Sequence, residues 1–380
     1  MSRSRRRCVA AIGAHFNKLT DPRVERTKLH SLLDMVVITL CATICGAEGW
    51  ADVERFGKMK RDWFVRFLSL ENGIPSHDTF GRVFARLDTQ EFQTCVHNWL
   101  LNLGLQLKDQ GISIDGKTLR RSFDAATGKS ALHMVSAWAS QLRICLGQVA
   151  VDGKSNEITA VPKLLELLEL NGAVVTLDAM HCQKDTTAAI RAKKADYLIT
   201  VKANQPKLHE AVQQFFLNAA DQDYEGVRIH KTTERNRGRV ERREVYVAPA
   251  PAELTESGAW VGLRTLGMIY RYRLVDGQES HAVTYFISSL PSRVKRIARH
   301  VRGHWGIENS LHWVLDVTFG EDDSRVRKDD SPEIAGIFRR LALSVLQQDT
   351  SLKSSIRGKR LQAGWNEEIL ERILCGFSAI

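Results

Sequence analysis

Three acidic residues carry most of the chemistry legible in this chain. Asp115 lies in GISIDGKTLRRS, Asp178 in AVVTLDAMHC and Glu308 in RGHWGIENSLHWVLDV. The first two close apolar runs of strand character, and the third sits in a segment with helical spacing and aromatics. Carboxylates placed this way can meet in space and hold two divalent metal ions, which can activate water and stabilise the leaving oxygen of a phosphodiester. An all-oxygen donor set suits Mg²⁺ or Mn²⁺. Taken singly, each acid also reads as an ordinary turn or helix carboxylate.

The neighbours of the acids add to this. Gly116 lets the backbone pass close to a metal or phosphate. Lys117, Arg120 and Arg121 set positive charge beside Asp115, and Lys202 begins KANQP after a later strand. His300, His304, Glu308 and His312 follow at four-residue steps. Such steps drift by roughly 40° each, so His304 and Glu308 share a face while His300 and His312 diverge from it. A zinc hydrolase is disfavoured because HExxH is absent. Asp316 and the run GEDDSRVRK, ending at Lys328, read as a surface turn, a DNA-positioning element or a brace for Glu308. Walker, Rossmann and GxSxG patterns are missing, against ATP, NAD or serine-hydrolase chemistry.

The elements that must position these residues fall into four stretches. Residues 1–105 have amphipathic helical spacing and form an all-α N-terminal domain for DNA-end binding. There Ser76 caps HDTFGRVFARL, which reads either as a DNA-reading helix or as a packing helix. Residues 106–206 follow the order β, β, β, α, β, α, β of an RNase H-like α/β core. In that topology the first and fourth strands are neighbours, so Asp115 and Asp178 meet although 178 − 115 = 63 residues separate them. Residues 207–290 form a β-rich insertion whose hairpin, with Arg237 and Arg239, offers a basic edge to a phosphate backbone. Residues 291–380 return to the core with the Glu308 helix and C-terminal helices.

The 380 residues carry a formal charge of +10, which favours a polyanionic partner, with nucleic acid foremost. Seven scattered cysteines without a CxxC pair argue against a disulfide framework or zinc ribbon and fit a reducing cytosol. Cys182 reads as a small buried residue rather than a reactive thiol. The apolar run Met35 to Cys45 is too short to span a bilayer, and the basic N-terminus reads as a flexible arm rather than a secretory signal.

The strings LLDMVVITLCATICGAEGW, NGIPSHDTFGRVFARLD, ISIDGKTLRRS, LDAMHCQKD, YLITVKANQP and HWGIENSLHWVLDVTFGEDDSRVRK resemble DDE-type insertion-sequence transposases, and more narrowly the H-repeat-associated group. The likeness covers nearly the whole chain. It implies a catalytic, metal-holding triad of Asp115, Asp178 and Glu308 with two Mg²⁺ or Mn²⁺ ions. It also implies double-stranded DNA as partner, a homodimer in the DNA complex, and a cytoplasmic, nucleoid-associated protein. Broader relatives carry tyrosine, arginine and lysine where this chain has Val301, His304 and Leu315. His304 is expected to replace that arginine as a phosphate contact, with Arg302 and Lys328 covering other roles. The expected DNA-contacting set is Lys117, Arg120, Lys202, Arg237, Arg239, Arg302, His304 and Lys328. Two other function classes fit the same residues: a DNA-binding protein without catalysis, and a host nuclease that cuts and never joins.

Overall fold

The first long helix forms where a proline-free apolar run follows a serine cap. Ser31 accepts a hydrogen bond from the Asp34 amide, and Gly46 ends the helix at φ 116°, a conformation that favours glycine. The computed structural model describes residues 12–123, 128–151, 157–236 and 238–378. In chain order, helices α1 (Leu32–Cys45), α2 (Trp50–Met59), α3 (His77–Phe84) and α4 (Thr89–Leu101) precede strands β1 (Gly111–Thr118), β2 (His133–Ala139) and β3 (Ile144–Val151). Helix α5 (Glu157–Leu167), strand β4 (Val174–Leu177), helix α6 (Lys184–Ala192), strand β5 (Asp196–Val201) and helix α7 (Pro206–Asp221) come next. Four strands follow: β6 (Arg228–Asn236), β7 (Arg239–Pro249), β8 (Thr265–Val275) and β9 (Gln278–Ser288). Helices α8 (Val294–His304), α9 (Trp313–Phe319), α10 (Ser331–Gln348), α11 (Ile356–Trp365) and α12 (Glu367–Ser378) complete the chain.

These elements group into two units. One comprises Met1–Gln106, Gly116–Ala160 and Glu308–Ile380. Its centre is α10, on which Phe338 meets Phe84 and Phe92 from α3 and α4. Helix α1 is buried along nearly its whole length, so the apolar run ending at Cys45 is core. Among the described residues no single helix is long and apolar enough to cross a membrane. Strands β2 and β3 pair antiparallel beside the tail of β1.

The second unit, Leu107–Asp115 with Val161–Ile307, holds most of a large mixed sheet, in the order β1-β4-β5-β9-β8-β7-β6. β1, β4 and β5 run parallel, as crossover helices require. β9 then joins β5 antiparallel, and β8, β7 and β6 follow as hairpins. The β-rich segment thus extends the sheet through β9. Helix α8 packs Ile297 and Val301 against Val174, Leu198, Val245, Val247 and Phe286 on one face.

Candidate active site

The two aspartates are positioned by strand register. β1 pairs with β4 from Gly111↔Val174 to Ser113↔Thr176, a constant offset of 63 residues. Continued two residues, that offset sets Asp115 opposite Asp178. Because strand side chains alternate, both acids share the face of Ser113 and Thr176. The Thr176 hydroxyl donates to Ser113 Oγ at 3.2 Å, and His304 Nδ1, at the last residue of α8, lies 3.0 Å from Thr176 Oγ1. The aspartate face is therefore the face that α8 covers.

Asp178 caps the turn after β4: its Oδ1 accepts from the Met180 amide at 3.2 Å, and its side chain is 47% exposed. The KANQP segment braces this turn, with Asn204 Nδ2 donating to Ala179 O at 2.7 Å and Gln205 Nε2 to Cys182 O at 2.9 Å. Lys202 stands exposed at the same end. The Cys182 thiol is fully buried, and burial pushes its pKa up to about 12, as an inert packing residue requires.

The histidines of the four-residue series take separate roles. His300 turns to Asp109, its Nε2 3.2 Å from Oδ1, beside Arg296 at 2.8 Å. Burial works to raise the Asp109 pKa, but hydrogen bonds from Arg296, Arg299 and His300 bring it down to about 2. Burial lowers the pKa of His304, with Asp178 working the other way. The imidazole is thus neutral at physiological pH and occupied with Thr176. Where broader relatives carry arginine, this chain thus places a buried imidazole 3.0 Å from Thr176 Oγ1.

Glu308 opens a π-helical turn, Glu308–His312, that runs directly into α9. Such turns insert one residue into a helix and re-aim its side chains, often at functional sites. Gln347 Nε2 donates to Ser310 O in this turn at 3.0 Å. The Glu308 side chain is 67% exposed, and its Oε2 lies 3.3 Å from Nδ1 of buried His312. Burial, with Arg340 next, pushes the His312 pKa down to about 4, so this imidazole is neutral too.

Lys117 departs from its expected role. Its side chain is 8% exposed, and its Nζ lies 2.6 Å from Asp322, 2.7 Å from Asp316 and 3.7 Å from Glu321. An ammonium enclosed by three carboxylates is engaged within the protein and ties β1 to α9 and the segment after it. Of the alternatives for the GEDDSRVRK run, its acids thus favour bracing. Arg120 stays exposed, with Asp322 3.2 Å from its Nε. Gly116 also has a different reason from the one its position suggests. A Cβ there would meet His133 Nε2 at 2.3 Å and Glu157 at 2.7 Å, two buried side chains 2.6 Å apart. The close approach is to protein, not to a metal or phosphate.

Two charged surfaces stand out. On β7 and β8, Arg243 faces Arg271 and Glu241 faces Arg273 in register, so these side chains share one face with Arg239 and Glu234. Glu241 pairs with Arg239, Arg243 and Arg273, while Arg302 reaches Glu234 at 2.7 Å. Arg271 lies over the Trp305 ring at 5.0 Å. Burial first, then the surrounding guanidiniums, lower the pKa of Arg271. Arg237 lies outside the described residues. The other surface is a groove of about 1020 Å³ of mixed charge, where Arg82 of α3, Lys129, Arg325, Arg327 and Lys328 stand among Glu48, Asp78, Asp323 and Asp329. Helix α3 buries Phe80, Val83 and Phe84 and turns its polar side to the groove.

Residues 106–345 match the family described as Transposase DDE domain, and residues 13–100 match its partner family, DDE_Tnp_1-associated. The chain is 37% identical to "Putative transposase YncI" of Escherichia coli O157:H7 over 96% of this chain and 95% of that protein. It is 35% identical to "H repeat-associated putative transposase YhhI" of Escherichia coli K12 over 95% of this chain and 97% of the relative. A matching family domain across most of the chain, and relatives matched from end to end, show that it belongs to the DDE transposases.

Proposed function

We propose that the protein is a metal-dependent transposase whose triad is Asp115, Asp178 and Glu308, set on an RNase H-like core. The reaction is cleavage of a strand at the ends of an insertion sequence to leave a 3′ hydroxyl, followed by attack of that hydroxyl on a target phosphodiester. The observation that carries this reading is the β1–β4 register, whose constant offset, continued two residues, pairs Asp115 with Asp178. His304 rests on Thr176 beneath them, and Glu308 follows only four residues later along the chain.

The donor set fits Mg²⁺ or Mn²⁺: three carboxylates, two of them on side chains about half exposed or more. When bound, two such ions stabilise the attacking and leaving oxygens of an in-line displacement. The chain's own residues do the rest. The aspartates are held by strand pairing, Glu308 by its helix, and the arginines of β7, β8 and α8 hold phosphates. DNA ends lie along the basic surfaces, including Lys202, Arg239, Arg302 and Lys328, and two copies act together because two ends must be joined. The helical N-terminal part contributes to end binding, and the protein works in the cytoplasm on the nucleoid.

The test is an incubation with labelled element ends, a target plasmid and Mg²⁺ or Mn²⁺. Joined products are expected. Nicks alone would indicate a nuclease, and binding alone an inactive end-binding protein. Asp178→Asn removes one charged ligand worth several kcal/mol, so cleavage should fall by at least about a hundredfold. Full cleavage by that variant would remove Asp178 from the site.

A further inference from the structure

We propose that Lys117 is a positioning residue for Glu308, and that its buried ion cluster sets the affinity of the site for its divalent ion. This rests on the metal-holding triad proposed above. Lys117 lies two residues after Asp115 on β1. Its Nζ is held by Asp316 of α9 at 2.7 Å and by Asp322, just beyond α9, at 2.6 Å. Asp316 is eight residues from Glu308, and the stretch between them, the π-helical turn and the start of α9, is helical throughout. Any slide or rotation of α9 therefore moves Glu308 with it. Lys117 fixes that helix to the strand that also carries Asp115.

The cluster reaches further. Glu321, fully buried and 3.7 Å from Lys117, takes Arg340 of α10 at 2.7 Å, and Arg340 Nε donates to Ser136 Oγ of β2 at 3.1 Å. One ionic cluster thus joins β1, β2, α9 and α10. Stability alone does not require charge here, because apolar residues of similar volume often serve a buried site as well or better. What an ammonium between two carboxylates adds is a defined helix position, as groups behind metal ligands commonly do.

The experiment measures Mn²⁺ binding to the full-length protein without DNA by electron paramagnetic resonance, alongside duplex binding across a salt series. Lys117→Met should weaken Mn²⁺ binding about tenfold or more, with duplex affinity and its salt dependence unchanged. Lys117→Arg should restore part of the loss. Should Lys117→Met prove unstable, Lys117→Met with Asp316→Asn leaves fewer unpaired buried charges. It should unfold in urea near the wild-type midpoint yet still bind Mn²⁺ weakly. The proposal is overturned if the double variant regains wild-type Mn²⁺ affinity. It is equally overturned if Lys117→Met lowers the salt dependence of duplex binding while Mn²⁺ binding holds, since Lys117 would then be a phosphate contact. Equal Mn²⁺ binding by wild type and Lys117→Met sinks this inference alone. No Mn²⁺ binding by the wild type sinks it together with the metal reading beneath it.

Discussion

Two clusters of charge in this protein are built on opposite plans. Around Glu321, three buried cations (Lys117, Arg339 and Arg340) meet three carboxylates (Asp316, Glu321 and Asp322). On the face of β7 and β8, five arginines (Arg239, Arg243, Arg271, Arg273 and Arg302) meet, among the described residues, the carboxylates of Glu234 and Glu241. The first sums to 3 − 3 = 0 and the second to 5 − 2 = +3. Buried charge persists only when it is matched, so the balanced cluster is complete in itself. The unbalanced one sets Arg243 directly across from Arg271, a like-charge pairing that destabilises a sheet. An anionic ligand would relieve that repulsion, and under the function proposed above the ligand is DNA.

Breaking the balanced cluster should have the largest effect on stability. Arg340→Met leaves Glu321 buried at 0% exposure beside the weaker contacts of Arg339 at 4.0 Å and Lys117 at 3.7 Å. Burial works to raise the Glu321 pKa, and Arg340 is foremost among the groups that hold it down. Loss of one partner of such a pair costs about 3–5 kcal/mol, read as a lower urea midpoint. Arg340→Met with Glu321→Met should recover most of it. A loss below about 1 kcal/mol for the single variant would mean that the cluster is not held as a unit.

Glu333 sharpens the contrast from inside the same unit, because it is a carboxylate that lacks the balance of its neighbours. Burial, reinforced by Asp330, pushes its pKa up to about 7. A folded-state pKa raised above the unfolded value near 4.5 gives stability that is fully present below about pH 4.5 and lost as pH rises through 7. At pH 8 that loss approaches about 3 kcal/mol. Glu333→Gln, which mimics the protonated form, should therefore unfold at higher urea than wild type at pH 8 and at the same urea at pH 4. Parallel curves at the two pH values would show that Glu333 is solvated or paired.

The sequence makes one half of the candidate site legible and hides the other. Asp115 and Asp178 can be paired from the strand order alone, because that order makes the first and fourth strands parallel neighbours. Glu308 is visible as a residue, but the π-helical turn that carries it is not. One residue inserted into a helix changes no composition and little periodicity. Lys117 and Gly116 are misleading for a shared reason. Their partners, Asp316 and Asp322 for one and His133 and Glu157 for the other, are brought in by tertiary packing. His304 reads as a cation until burial and Thr176 are known. The basic hairpin around Arg239 is plain in the sequence, but Arg271 and Arg273 are not. They join it only because the β7–β8 register turns them to the same face as Arg243.

That register supplies the smallest effect and the most discriminating test of the comparison. Arg271 and Arg273 each present a guanidinium on the +3 face. Each phosphate contact adds about 0.9 to the slope of log affinity against log salt. Arg271→Gln with Arg273→Gln should therefore flatten that slope by about 1.8 and weaken duplex binding about tenfold at moderate salt, with little change in urea unfolding. Arg340→Met should do the reverse, lowering the urea midpoint and leaving the slope unchanged. If the two arginine changes destabilise the fold and leave the slope alone, the face is a structural ion network like the one around Glu321. The distinction between balanced and unbalanced charge would then fail in this protein.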